Sequence, residues 1–125
     1  MIAFLLACSA DPNAPPEVAF DHVVCDHCSM LGSEPRHAAV IRERQGAERD
    51  FDDPGCLFTY VLEKHPSIAQ MWFHTGSDWV RENQVAFATG AQTPMGSGLV
   101  AVPVGTPGAL GVGEASTRVF SPVAK

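Results

Sequence analysis

Eleven glycines and ten prolines interrupt this chain so often that its elements must be short. From residue 18 onward, brief apolar runs alternate with Gly or Pro breaks, a pattern that suits a mixed α+β fold of small strands and few helices. Residues 37–42 read as a strand, Gln45-Gly46 as a turn, and residues 48–51 as the returning strand. A helix follows. Asp52 or Asp53 can cap it, Pro54 suits its first turn, and Leu57, Phe58, Val61 and Leu62 are expected on one face. Lys64 and His65 fall in its last turn and Pro66 ends it. Residues 68–74 read as a strand closed by Gly76, and residues 79–80, 85–88 and 99–102 as shorter ones. A turn, Thr93-Pro94-Met95-Gly96-Ser97-Gly98, separates the last two. Gly108, Gly111 and Gly113 argue against a second helix within residues 107–115. The order strand-strand-helix-strand, then a looser version of the same, hints at two related halves without a sequence repeat.

Composition narrows the function. With 46% hydrophobic and 18% charged residues the chain is globular, and its net charge of −6 argues against nucleic acid as a partner. No apolar run reaches the roughly 18 residues of a membrane-spanning helix. The acidity is uneven: residues 1–62 carry ten acidic side chains against Arg36, Arg42, Arg44 and Arg49, while the rest balances. No Ser/His/Asp arrangement, carboxylate pair or phosphate loop stands out, so the expectation is a protein that catalyses nothing.

At the N-terminus, Leu5-Leu6-Ala7-Cys8 resembles a bacterial lipobox, and the polar, proline-rich residues 9–16 suit a tether. Residues 1–7 are therefore expected to be the remnant of an export signal. Residues 8–17 would be a lipidated Cys8 with its tether, and residues 18–125 the folded domain. No Lys or Arg precedes Cys8, and the apolar segment is shorter than a full signal peptide. A lipid on Cys8 would hold the protein at a membrane face.

The chemistry concentrates in His22-Val-Val-Cys25-Asp26-His27-Cys28-Ser29-Met30, which gathers two thiols, two imidazoles and a thioether. Soft sulfur donors favour Cu(I), whereas a hard cation would want the oxygen ligands that are scarce here. Three readings stay open for Cys25-x-x-Cys28. Half of a zinc site would need a second Cys/His pair; Cys56 stands alone, and His65 and His74 could complete the set only at a spacing unlike familiar zinc motifs. A thiol-disulfide oxidoreductase would place the pair at a helix start, whereas Leu31-Gly32-Ser33-Glu34-Pro35 reads as a turn. A Cu(I) site makes use of Met30, and of Met95, which a Pro-Met-Gly turn exposes. Cys56 falls near the third position of the helix, where packing or support behind the ligands is the expected role and ligation the alternative. His27, inside the loop, is an alternative ligand or a pH-sensing group. Trp72 and Trp79 are expected in the core.

Taken in order, Cys28-Ser29-Met30, Phe51-Asp52-Asp53-x-Gly55-Cys56, Asp78-Trp79 and Thr93-Pro94-Met95-Gly96-Ser97-Gly98 resemble the NosL family across roughly residues 24–102. Its members are copper-binding lipoprotein accessory factors for nitrous oxide reductase. The resemblance implies a periplasm-facing, membrane-anchored protein that binds one Cu(I). It would pass the ion to the copper-centre assembly machinery or to nitrous oxide reductase itself. It also implies two ββαβ-type units, similar to the core of the organomercurial lyase MerB, with the glycine-rich second unit reduced. On the same basis Cys28, Met30 and Met95 would ligate the ion, with Cys25 as a further ligand or exchange partner.

Overall fold

The structure, a computed structural model, describes residues 13–120. Cys8, the apolar residues before it and the first part of the expected tether lie outside the described residues. Strand β1 (Ala39–Glu43) follows a single 3-10 turn at Pro35–His37 and turns at Gly46 into β2 (Glu48–Phe51). Helix α1 (Pro54–Lys64) leads to β3 (Ile68–His74), then β4 (Trp79–Arg81), β5 (Val85–Ala88), β6 (Val100–Pro103) and helix α2 (Val112–Phe120). The first four strands form an antiparallel sheet in the order β2-β1-β3-β4, and β5 pairs with β6 in a second sheet. The architecture is thus mixed α+β, with two helices, a four-stranded sheet and a two-stranded sheet.

One aromatic cluster joins the parts. Phe73 of β3 meets Phe87 of β5 edge-on at 5.0 Å, and Phe58 of α1 closes the triangle at 5.9 and 5.6 Å. All three rings are buried, so both sheets and α1 share a single core. Alternation sets the face: Ala39, Ile41 and Phe73 point into that core.

Helix α1 follows its end signals. The Asp53 carboxylate caps it by accepting from the Gly55 N–H at 2.8 Å, Pro54 opens the first turn, and His65 ends it in the left-handed region. The buried face runs through Cys56, Leu57 and Phe58, with Leu57 at its centre. Leu62, expected on that face, is half exposed. At about 100° per residue it stands roughly 140° from Leu57, on the helix back.

Helix α2 begins inside residues 107–115, runs past them to Phe120, and keeps only Gly113 of the three glycines. Ala115 is fully buried, while Val112 and Val119 pack against the core from the same stripe. That i, i+3, i+7 spacing outweighs the glycine propensity that argued against a helix. Helix α2 packs on α1 and β5.

The outer face of the four-stranded sheet is also covered. Trp72 is buried there, its ring flanked by the Arg42 and Arg81 guanidiniums at 5.9 and 5.7 Å, and its indole N–H donates to Gln70 Oε1 at 2.9 Å. Arg42 Nη1 in turn donates to the Ala14 carbonyl at 3.0 Å, Gln70 Nε2 donates to Asn13 Oδ1 at 3.3 Å, and Pro16 is buried. Residues 13–16, part of the stretch read as a tether, therefore rest against the sheet. Trp79 is only half-buried, stacked edge-on against His74 at the sheet margin.

Candidate metal centre

Two chain segments far apart in sequence build the site. The first is the loop over residues 21–32, folded back on itself by short-range ladder bonds. Asp21 N–H donates to the Gly32 carbonyl, Gly32 N–H to Val23, and Cys25 N–H to Met30 at 2.8 Å. Ser29 closes the tip with a φ of 66°, donating to the Cys25 carbonyl at 3.0 Å. The Cys25-x-x-Cys28 pair thus sits in a turn, not at a helix start.

Asp26 fastens this loop to the free edge of β2. Its N–H donates to the Asp50 carbonyl at 2.7 Å, and its Oδ2 accepts from the Asp50 N–H at 2.8 Å. The second segment then comes within reach. Where β2 turns into α1, Asp52 precedes the cap and Cys56 occupies the first helical turn. One donor atom each from Cys25, Cys28, Asp52 and Cys56 lies within 4.8 Å of every other. Cys25, Asp52 and Cys56 are buried and Cys28 half-buried. No disulfide joins the three described cysteines.

The thiols do not titrate alike. The Cys56 thiol donates to Cys25, and the N–H groups of Cys28, Asp52 and His27 point at the same sulfur. Against the opposing effect of burial they draw the Cys25 thiol down to about 6. Burial, and then the donation to Cys25 and Asp52 with the Cys25 charge, push the Cys28 thiol up to about 11. Cys56 rises above the ordinary thiol range, because its proton is held by Cys25 and because it is buried. The arrangement is one thiolate supported by two protonated thiols.

Asp52 shows why the cluster suits an ion. Oδ1 accepts from Cys28 Sγ at 3.3 Å, but Oδ2 is buried with no hydrogen-bond partner among the described residues. An unpartnered carboxylate oxygen beside three sulfurs is costly in the metal-free protein, and a bound cation would satisfy it. Three thiols and a carboxylate form an S₃O donor set that fits a soft or borderline metal of low coordination number.

A groove of about 490 Å³ leads to this point, with Met30, Leu31, Glu34 and His37 on one wall, Gln92, Thr93 and Pro94 on the other, and Asp52 in its lining. On the core side only a void of about 10 Å³ adjoins Cys25 and Asp52, at the lower limit for one water. Of the four donors, Asp52 is the one that lines the groove.

Asp53 holds the second wall in place. Fully buried, it accepts from the Met95 N–H at 2.9 Å and from the Ser97 hydroxyl while capping α1. The Thr93–Gly98 turn comes so close to the helix start that a Cβ on Gly55 would stand 2.5 Å from Ser97 Cβ. A side chain at position 55 would push the turn away.

The residues singled out in the sequence divide accordingly. Cys28 and Cys25 come together in the cluster, and so does Cys56, for which packing or support was expected and ligation was the alternative. Asp52 joins them although the sequence offered it only as a helix cap; its place four residues before Cys56, at the strand-to-helix turn, was the available signal. Met30 and Met95 stand about half exposed, Met30 in the groove wall and Met95 at the tip of the docked turn. His27 lies outside the cluster, its Nε2 3.8 Å from the Glu63 carboxylate. His74 accepts from the Gly76 N–H and His65 ends α1, so neither approaches the thiols. Comparison of the chain with protein-family models, with curated proteins and with solved structures returns no match.

Proposed function

We propose that this protein is a Cu(I) carrier that holds one ion on Cys25, Cys28 and Cys56. The observation that carries the reading is the convergence of three thiols on Asp52, a residue that also lines an open groove. Sulfur donors select the reduced ion, and the thioethers of Met30 and Met95 at the mouth add neutral soft ligands that disfavour Cu(II). Cys28 is the sulfur nearest solvent and the natural point of exchange. An incoming donor can bind there before the buried thiolates let go, so the ion transfers without being set free. Asp52 accepts a hydrogen bond from the Cys28 thiol in the empty protein and places an oxygen donor beside the three sulfurs. The further reading follows the resemblance to NosL: a lipid on Cys8 anchors the protein at the periplasmic face of a bacterial membrane. There it delivers copper for the centres of nitrous oxide reductase and catalyses no reaction itself. The order β1-β2-α1-β3 matches a ββαβ unit, and β5-β6-α2 would be its reduced second copy.

Anaerobic titration of the reduced protein with Cu(I) against a competing chelator tests this. One ion per chain is expected. Affinity should fall at least about 100-fold in Cys28→Ser and Cys56→Ser, and less in Met95→Ala. Equal affinity in the wild type and in a variant lacking all three thiols would sink it. The Asp52 oxygen favours a second reading, a zinc-stabilised interaction module, because S₃O is also a tetrahedral Zn(II) set. In that case Zn(II) would outcompete Cu(I) in the same titration, and Asp52→Asn would abolish its binding.

A further inference from the structure

We propose that the mouth of the groove is a docking surface for a protein partner that presents a soft donor within a cationic rim. The proposal rests on the Cu(I) reading and names the partner of that site. Two observations carry it. Four of the six exposed large hydrophobic side chains among the described residues, Val24, Met30, Leu31 and Met95, belong to the two segments that border the groove. Val24 and Leu31 are cross-strand partners, so their side chains leave the same face of the loop. The facing turn adds Pro94, and residues 90–98 contain no charged side chain. An apolar patch concentrated at the opening of a buried polar site marks an interaction surface.

Charge states which partner fits. Residues 13–35 carry Glu17, Asp21, Asp26 and Glu34 and no lysine or arginine. Among the described residues none of Asp21, Asp26 and Glu34 lies within ion-pair distance of a lysine or arginine; Glu34 meets only His37, at 3.4 Å. Glu63 of α1 adds a carboxylate next to the same loop, 3.8 Å from His27. A dry apolar centre inside an acidic border complements an apolar tip inside a basic border, and it repels acidic proteins. The apolar centre would also exclude water while a donor on the partner reaches the cluster past Asp52.

The test uses the full chain and two labelled peptides. Both carry the same apolar centre with one cysteine and two methionines; one is flanked by lysines and the other by glutamates. Fluorescence anisotropy with the reduced, metal-free protein measures docking independently of copper. The lysine-flanked peptide should bind at least about tenfold more tightly at low salt, and the difference should shrink at high salt. Glu34→Lys with Glu63→Lys should erase the preference, and Leu31→Ser should weaken the lysine-flanked peptide without restoring the other. With Cu(I)-loaded protein, transfer to the lysine-flanked peptide should be correspondingly faster, while the double variant keeps wild-type Cu(I) affinity. Equal binding of the two peptides to the metal-free protein overturns the docking surface and leaves the copper reading standing. Loss of Cu(I) binding with the peptide preference intact overturns the copper reading alone. Self-association abolished by Leu31→Ser, without peptide preference, overturns the proposal in favour of a second copy of this chain.

Discussion

Replacing Asp53 by Asn should separate the groove wall from the helix it is tied to. The wild-type carboxylate is fully buried and accepts three hydrogen bonds, from Gly55 N–H, Met95 N–H and the Ser97 hydroxyl. Gly55 and Ser97 share Oδ1, while Met95 uses Oδ2. An asparagine can keep its oxygen toward Gly55 and Ser97 and so preserve the cap. Its amide nitrogen then faces the Met95 N–H, donor against donor. The lost charged acceptor costs about 2 kcal/mol, within the 1.5–3 kcal/mol range of such bonds. Asp53→Ala should cost about 4 kcal/mol, because the cap, worth roughly 1 kcal/mol, and the Ser97 bond disappear too. Urea unfolding of the metal-free protein at unchanged slope measures both. Hydrogen exchange supplies the local readout: in Asp53→Asn the Met95 and Gly96 amides should exchange faster while those of β1 and β3 stay protected. A variant within about 0.5 kcal/mol of wild type, or equal costs for Asn and Ala, would refute the division of labour between the two carboxylate oxygens.

Phe73→Ala should destabilise the protein by about 4 kcal/mol and melt both sheets in one transition, since Phe73 contacts Phe58 and Phe87; separate transitions in calorimetry would contradict the shared core. Binding of one Cu(I) to three thiolates at pH 7.5 should release about two protons, because Cys25 is already ionised while Cys28 and Cys56 hold theirs. Affinity should therefore rise about 100-fold per pH unit near neutrality and more steeply below about pH 6, and an indicator dye that reports one proton or three would reject this assignment. Burial, and then the charges of Asp26 and Glu48, push the Asp50 carboxyl above its ordinary value, so the folded state holds that proton to higher pH than the unfolded chain does. Stability should fall as pH rises through that interval. Asp50→Asn should raise Tm at pH 7 and leave it unchanged near pH 3.

Local chemistry explains which elements the sequence made legible. Strands β2 and β3 are bounded by turn residues and a proline, and α1 carries its cap, its first-turn proline and its terminal lysine within one stretch. Helix α2 was obscured because glycine propensity is a per-residue quantity, whereas the burial of Ala115 depends on where β5 and α1 lie. The site divides along the same line. Cys25 and Cys28 are three residues apart and announced themselves. The meeting of Cys56 and Asp52 with the cysteine loop depends on Asp26 pairing with Asp50, a contact across 24 residues that no spacing rule contains. The thiol titration illustrates the difference. A helix start alone favours ionised Cys56, yet in the assembled cluster Cys56 is a donor to Cys25 and keeps its proton.

The same contacts decide how metal binding relates to folding. A site whose ligands are gathered by the ion leaves the chain unfolded without it. Here the loop over residues 21–32 is closed by its own backbone bonds and clipped to β2, and Asp52 and Cys56 are placed by a capped helix. None of these contacts needs an ion. Protonated thiols are small and nearly apolar, so Cys56 and Cys28 can be enclosed in the metal-free core at little cost. The main local strain of the empty state is the unpartnered Asp52 oxygen, worth about 1–3 kcal/mol. That value is small beside the stability of a domain, which is typically about 5–15 kcal/mol. The metal-free protein should therefore remain folded with its donors in position. An arrangement of this kind suits an ion that must enter and leave, because neither step requires the fold to be made or broken.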